Sequence, residues 1–300
     1  MAGDAVSFRV PYGVDELGNY VSPEMASKQT VYFCPCCANR LVFKSGTKRV
    51  KHFSHPKAAN CNPETVLHKT AKALIQRAIM DNAEGELCLS IMDNCQSCGG
   101  EQERLLKPKT FSNAVQEVRV GQYICDVVAF KGEGEIALGI EILVTHAVDE
   151  EKAKNLNIYW IELKADDVIE SATMWQPVQA KLKQRNCLKC KEDAQRVRAI
   201  ANQYGIDGSL FSTDKHAWFN SENPTGYLGF IGGCWVCKRD IPLFWWEGVP
   251  YCTEKPPEPR PKTIQYRYSK TFGGLYWGNT CAACGKLQGD NFLRESLWYK

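Results

Sequence analysis

The chain has 300 residues, 44% of them apolar and 24% charged, with a formal net charge of +3. That leaves room for one large domain or roughly two to three smaller ones, and the composition excludes a disordered or fibrous protein. No apolar run approaches the length needed to span a bilayer, and the start MAGDAVSFRVPYG lacks the cationic stretch and apolar core of a secretory signal.

With no export signal, fifteen cysteines are expected to be reduced thiolates on metal rather than disulfides, in a cytoplasmic protein without a membrane partner. Residues 1–62 form a first expected domain, with short strands over 5–33 and a turn at Pro11-Tyr12-Gly13. It closes on a zinc module made from Cys34-Pro-Cys36-Cys37, His52-Phe-Ser-His55 and Cys61. Any three of these cysteines with one histidine make a Cys3His site. The set chosen is Cys34, Cys37, His55 and Cys61, which leaves Cys36 outside and His52 to the core or to DNA.

Asn62-Pro63 opens a helix, since Asn caps well and Pro suits the first helical position. Val66, Leu67, Leu74, Ile75, Ala78 and Ile79 recur at helical spacing to about Met80, with Glu64, His68 and Lys72 on the opposite, polar face. Residues 63–204 are read as a second domain. Cys95-Gln-Ser-Cys98 and a basic linker (Arg104, Lys107, Lys109) lead to strands over 116–120 and 123–130, joined by a Gly121-Gln122 turn. A third strand over 136–145 follows the 131–135 turn and is apolar enough to be buried. A helix over 146–156 with an acidic start and a strand over 158–163 come next. Helices are then expected over 172–185 and 191–204, either side of Cys187-Leu-Lys-Cys190. This α-β-β-β-α-β order implies a mixed sheet flanked by helices, in the α/β or α+β class.

Residues 205–300 change character, holding six of the eight tryptophans and a proline-rich connector over 256–261. The Cys234/Cys237 and Cys281/Cys284 pairs fit a zinc ribbon. Cys95/Cys98 fits a second site with Cys187/Cys190, although 187/190 with 234/237 is an open alternative. Four protein ligands leave no place for substrate, so all three zinc sites are expected to be structural. Cys88, Cys125 and Cys252 are read as small buried hydrophobes. The C-terminal aromatics serve either the ribbon's core or the stacking of single-stranded bases.

Alternation puts Asp126, Val128 and Phe130 on one strand face, and Glu141, Leu143 and Thr145 on a face of the next strand. If the strands pair through the 131–135 turn, Asp126 and Glu141 meet. Each alone reads as a surface charge, but together they suit Mg²⁺ or Mn²⁺ and the activation of water, with Glu64 as a third oxygen donor. Two basic clusters attract phosphate backbones. One holds Arg40, Lys44, Lys48, Arg49, Lys51, Lys57, Lys69 and Lys72, the other Lys181, Lys183, Arg185, Lys189, Lys191, Arg196 and Arg198.

Cys34-Pro-x-Cys37, His52-Phe-Ser-His55, Glu64-Thr-x-x-His68, Asp126 and Glu141, in this order, resemble the CoiA-like competence proteins. The runs Glu141-Ile-Leu-Val-Thr-His146, Asp149-Glu-Glu-Lys152 and Tyr159-Trp-Ile-Glu162 are similar to the core of related nucleases. The resemblance covers roughly 30–170 and implies a PD-(D/E)XK, restriction-endonuclease-like fold with Glu64, Asp126 and Glu141 as metal ligands. The motif has Lys or Gln two residues after its second acid, where this chain has Leu143. Leucine can neither polarise water nor stabilise a phosphorane. Lys152 reaching back, or His146 as a base, could replace it; for Lys152 the alternative is a solvent-facing ion pair. The expected activity is metal-dependent hydrolysis of DNA in competence, recombination or defence. The alternative is an inactive nucleic-acid-binding protein of the same fold, or an adaptor that docks a protein through its ribbon.

Overall fold

The computed structural model describes residues 9–46, 50–56, 61–215, 218, 226–290 and 293. Lys48, Arg49 and Lys57 of the first basic cluster, with the aromatics Phe219 and Trp298, lie outside the described residues. The chain is mixed α+β and divides into two units, Met1–Asp93 with Gln102–Lys183, and Asn94–Glu101 with Gln184–Lys300.

The first unit begins with β1 (Arg9–Val10), β2 (Gly13–Val14), β3 (Tyr20–Val21), β4 (Val42–Lys44) and β5 (His52–Ser54). β1, β5 and β4 form a small antiparallel sheet. The ring of Phe53 is fully buried in it, 4.9 Å from Tyr32 and 5.3 Å from Phe43. α1 (Pro63–Glu84) starts as expected: the Asn62 side chain accepts a hydrogen bond from the Glu64 amide at 2.9 Å. It runs past Met80 to a left-handed Gly85 (φ 93°). There Asn82 is fully buried and donates to the carbonyls of Leu87 and Lys107 at 2.7 and 2.9 Å.

β6 (Leu89–Asn94) precedes the Cys95/Cys98 knuckle, and β7 (Glu101–Leu106) follows it and takes in Arg104 of the expected basic linker. The three expected strands follow as β8 (Asn113–Val120), β9 (Tyr123–Lys131) and β10 (Glu135–Leu143); then come α2 (Glu150–Asn155), β11 (Trp160–Lys164) and α3 (Ala165–Glu170). The expected helix over 172–185 is absent. β12 (Met174–Trp175) and β13 (Gln179–Lys181) are there instead, with Pro177 between them. Proline disfavours a helix at that point, and β13 gains ladder bonds along the edge of β11.

The main sheet has the order β13-β11-β10-β9-β8, parallel only between β10 and β11. α2 makes the crossover that this parallel pair requires. One sheet face packs on α1 and α3 through Ala71, Ile75, Ile79, Val127, Ile140, Ile161 and Val168. The other packs beneath the α2 segment through Cys125, Val128, Leu156 and Trp160. Both faces are therefore dry, which explains the unbroken apolar run of β10.

The second unit contains α4 (Leu188–Gln203) and two hairpins, β14 (Leu228–Gly233) with β15 (Asp240–Trp245), and β16 (Ile264–Ser269) with β17 (Gly274–Asn279). The buried Asn279 side chain ties the hairpins together by bonding the Phe244 amide and carbonyl at 2.9 and 2.8 Å. The aromatics divide: Tyr227, Phe244, Trp246 and Tyr276 are fully buried, whereas Trp235 and Tyr268 are 49% and 61% exposed. Among the described residues no helix is long and apolar enough to cross a membrane.

Candidate functional site

Four of the five Cys-x-x-Cys runs form the same knuckle. The residue after the second cysteine is left-handed in each: Ala38 (φ 56°), Gly99 (φ 70°), Lys238 (φ 61°) and Gly285 (φ 71°). Its amide returns to the first cysteine's carbonyl at 3.0, 2.8, 2.9 and 2.8 Å respectively. Further amides point at the first sulfur of the knuckle, from Cys36 to Cys34 at 3.4 Å and from Cys237 to Cys234 at 3.4 Å. The fifth run differs: Cys187 caps α4, its sulfur accepting from the Cys190 amide at 3.4 Å. A helix N-terminus favours a thiolate.

Folding gathers these sulfurs into the three expected sets: Cys34, Cys37, His55 and Cys61; Cys95, Cys98, Cys187 and Cys190; Cys234, Cys237, Cys281 and Cys284. Cys36 stays outside them. Zinc–sulfur bonds of about 2.3 Å at tetrahedral corners place two sulfurs about 3.8 Å apart. The contacts Cys34–Cys61 at 3.8 Å, Cys234–Cys284 at 3.7 Å and Cys237–Cys281 at 3.7 Å fit that spacing. Cys37 Sγ lies 3.4 Å from His55 Nε2. The donor sets can hold zinc, and all fifteen cysteines are free thiols. Burial raises the Cys95 thiol, but amides from Cys187, Cys98 and Ser97 outweigh it and bring it down to about 6. Of the remaining cysteines, Cys125 and Cys252 are buried as expected, whereas Cys88 is exposed.

The carboxylates lie on the main sheet. The β9–β10 ladder runs to Val127↔Ile140, one step short of Asp126 and Glu141. There the Ile142 amide donates 2.8 Å to Asp126 Oδ2, a side chain standing where a main-chain acceptor would be. Glu141 is also in register with Glu162 on the parallel strand β11. Three acids thus follow one another across β9, β10 and β11. Glu141 and Glu162 are 6% and 1% exposed, and each keeps one carboxylate oxygen, Glu141 Oε1 and Glu162 Oε2, without a hydrogen-bond partner. Glu162 Oε1 accepts from the Val148 amide at 2.5 Å.

The polar row of α1 does not face away from the structure. Glu64, His68 and Lys72, spaced one turn apart, all reach the sheet's strand ends. Glu64 accepts from Thr145 Oγ1, and His68 Nε2 lies 3.0 Å from Asp126 Oδ2. Lys72, counted above in a surface patch, is 6% exposed; it is paired with Glu117 and lies 3.7 Å from Asp126 Oδ1. Glu117 takes a left-handed φ of 55° on β8, uncommon for a residue with a Cβ. Burial pushes Asp126 up, but the bonds from His68 and Ile142 and the Lys72 charge outweigh it and hold its carboxyl below the ordinary value.

Lys152 reaches back rather than out. Its Nζ lies 2.7 Å from Glu141 Oε2 and donates to the Ile124 carbonyl at 2.8 Å. Burial raises Glu141 above the usual carboxylate range despite this ammonium. His146 is exposed and makes no hydrogen bond or ion pair among the described residues. Neither Glu64, Asp126 and Glu141 nor Asp126, Glu141 and Glu162 bring three donor atoms within 4.8 Å of one another, unlike the cysteine sets. Glu162 and Glu117 had no role assigned from sequence, and Lys72 was read only as part of a basic cluster. The Tyr159-Trp-Ile-Glu162 run was the signal available for the first, since it sets an acid in a buried strand.

Residues 19–64 match the family model of the competence protein CoiA, N-terminal domain. This supports a CoiA-like family for that part of the chain. The matched stretch spans β3, the whole Cys34/Cys37/His55/Cys61 set and the first two residues of α1, ending at Glu64; Asp126 and Glu141 lie beyond it. No curated protein and no solved structure matches the chain.

Proposed function

We propose that the chain is a divalent-metal-dependent nuclease acting on DNA, cytoplasmic and related to competence, recombination or defence. Its core is read as PD-(D/E)XK, restriction-endonuclease-like, stabilised by zinc on the three cysteine sets, the last of them a zinc ribbon. The observation that carries the reading is the register of Glu141 with Glu162, with Asp126 one step beyond the end of the β9–β10 ladder and the Lys152 ammonium against Glu141.

Asp126, Glu141 and Glu162 would hold Mg²⁺ or Mn²⁺. The two unpartnered, buried carboxylate oxygens fit a hard cation, because buried polar atoms left without partners commonly mark an ion or water. Such a cation would orient the scissile phosphate and lower the pKa of attacking water. His68 and the Ile142 amide keep Asp126 ionised. Lys152 offers positive charge nine residues beyond Leu143, the place where the family motif has its lysine. Glu64 and His146 stand further out, at the exposed end of β10.

The test is cleavage of single- and double-stranded DNA with Mn²⁺ by wild type, Asp126→Ala and Glu141→Ala. Loss of cleavage in both variants supports the site, and unchanged cleavage in both rules it out. Two observations favour a second reading, an inactive DNA-binding protein or protein adaptor: Asp126 is already engaged by the His68 ring and the Lys72 ammonium, and Leu143 stands at the motif position. That reading expects salt-sensitive DNA binding without turnover, or a protein partner retained by Asp126→Ala.

A further inference from the structure

A cavity of about 380 Å³ opens in the second unit. Trp235, Tyr251, Tyr268, Lys270, Tyr276 and Asp290 line it. Two features of its wall are unusual. Asp290 is fully buried, and its Oδ1 has no hydrogen-bond partner; its Oδ2 accepts from the Tyr251 amide at 2.6 Å. Tyr276 is fully buried too, and its hydroxyl also has no partner. A buried acceptor and a buried hydroxyl left unsatisfied side by side cost stability unless something fills them. Tyr251 contributes a third irregularity, a left-handed φ of 60° on an aromatic residue. Burial raises Asp290 to about 6, against the Tyr251 amide.

The rings say what shape fits. Tyr251 stacks on Phe272 (centroids 5.1 Å apart, planes 7° apart), and Tyr276 meets both edge-on. Those rings are occupied with one another. Trp235 and Tyr268 are not: they are about half exposed or more, and the Trp235 Nε1 is anchored on the Leu287 carbonyl at 2.8 Å, leaving its face outward. The wall carries one carboxylate and one ammonium, Lys270, so it is neutral in sum. A neutral planar ring with hydrogen-bonding groups along one edge satisfies the floor and stacks on the walls. A compact cation would satisfy only the carboxylate.

We propose that this cavity binds an unpaired nucleobase, its Watson–Crick edge against Asp290 and Tyr276 and its face against Trp235 and Tyr268. The Lys270 ammonium at the rim suits the adjoining phosphate. The site is separate from Asp126 and Glu141 and does not depend on their chemistry.

The experiment uses the full zinc-loaded chain without Mg²⁺ or Mn²⁺, so cleavage does not enter. Binding is measured to a single-stranded oligonucleotide of about 12 residues and to an abasic oligonucleotide of the same length, which keeps the phosphates and lacks the bases. The base-bearing strand should bind about tenfold more tightly. Asp290→Asn and Trp235→Ala should each remove about tenfold of that preference and leave the abasic affinity unchanged. If Asp290→Asn does not fold, Trp235→Ala, whose ring is half exposed, decides alone. Equal binding of the two strands by wild type overturns the proposal. So does a Trp235→Ala variant that lowers both affinities alike, or displacement of the strand by tetramethylammonium but not by free nucleoside, which would mark a cation cage.

Discussion

Lys152 Nζ sits 2.7 Å from Glu141 Oε2, joining the helix after β10 to the middle acid of the sheet. Both side chains are largely buried, at 16% and 8% exposure, so the pair is screened little by solvent. Lys152→Met should leave Glu141 as an uncompensated buried charge and cost about 3 kcal/mol of stability. Chemical denaturation of Lys152→Met, Glu141→Gln and the double variant checks this. The double variant should be clearly less destabilised than the two single effects added together.

If Lys152 takes the part of the motif's lysine, its position matters less than its charge. Leu143 shares a strand face with Glu141. Leu143→Lys placed into Lys152→Ala should then recover part of any Mn²⁺-dependent cleavage that Lys152→Ala loses, from a loss of about a hundredfold. A double variant as inactive as Lys152→Ala would show that the two sites are not interchangeable.

Asp126 has its pKa lowered from 3.8 by His68, Ile142 and Lys72, which outweigh burial. A carboxyl depressed by folding stabilises the protein above its unfolded value, and that contribution is lost as pH falls through the folded value. Asp126→Asn should therefore melt well below wild type at pH 7, with the gap closing as pH drops below about 4. Melting curves over this range decide it; a constant gap would mean that the loss comes from packing and not from ionisation.

Metal analysis of the purified chain should find three zinc ions, one per cysteine set. Cys37→Ser, Cys98→Ser and Cys284→Ser should each lose one. Chelation should unfold the knuckles, because the free energy of metal binding is folding free energy in such sites. Cys36→Ser should keep all three, since Cys36 lies outside its set.

How far the sequence carried depended on the range of each interaction. The knuckles were legible because a Cys-x-x-Cys run and the left-handed residue after it are one local turn, and the donor sets follow from pairing those turns. The β9–β10 hairpin was legible for the same reason: a tight turn between two runs of strand formers. What the sequence could not fix was everything settled by distant partners. Residues 172–185 have helical spacing, yet Pro177 and the open edge of β11 made them strands.

Lys72 looked like surface charge until α1 laid its polar row against the strand ends, where Glu117 and Asp126 repay its burial. Glu162 read as part of a buried strand, and only the parallel register of β10 and β11 set it beside Glu141. Local chemistry was written in residue spacing; the meeting of acids and lysines was decided by which strands paired and which helix covered them.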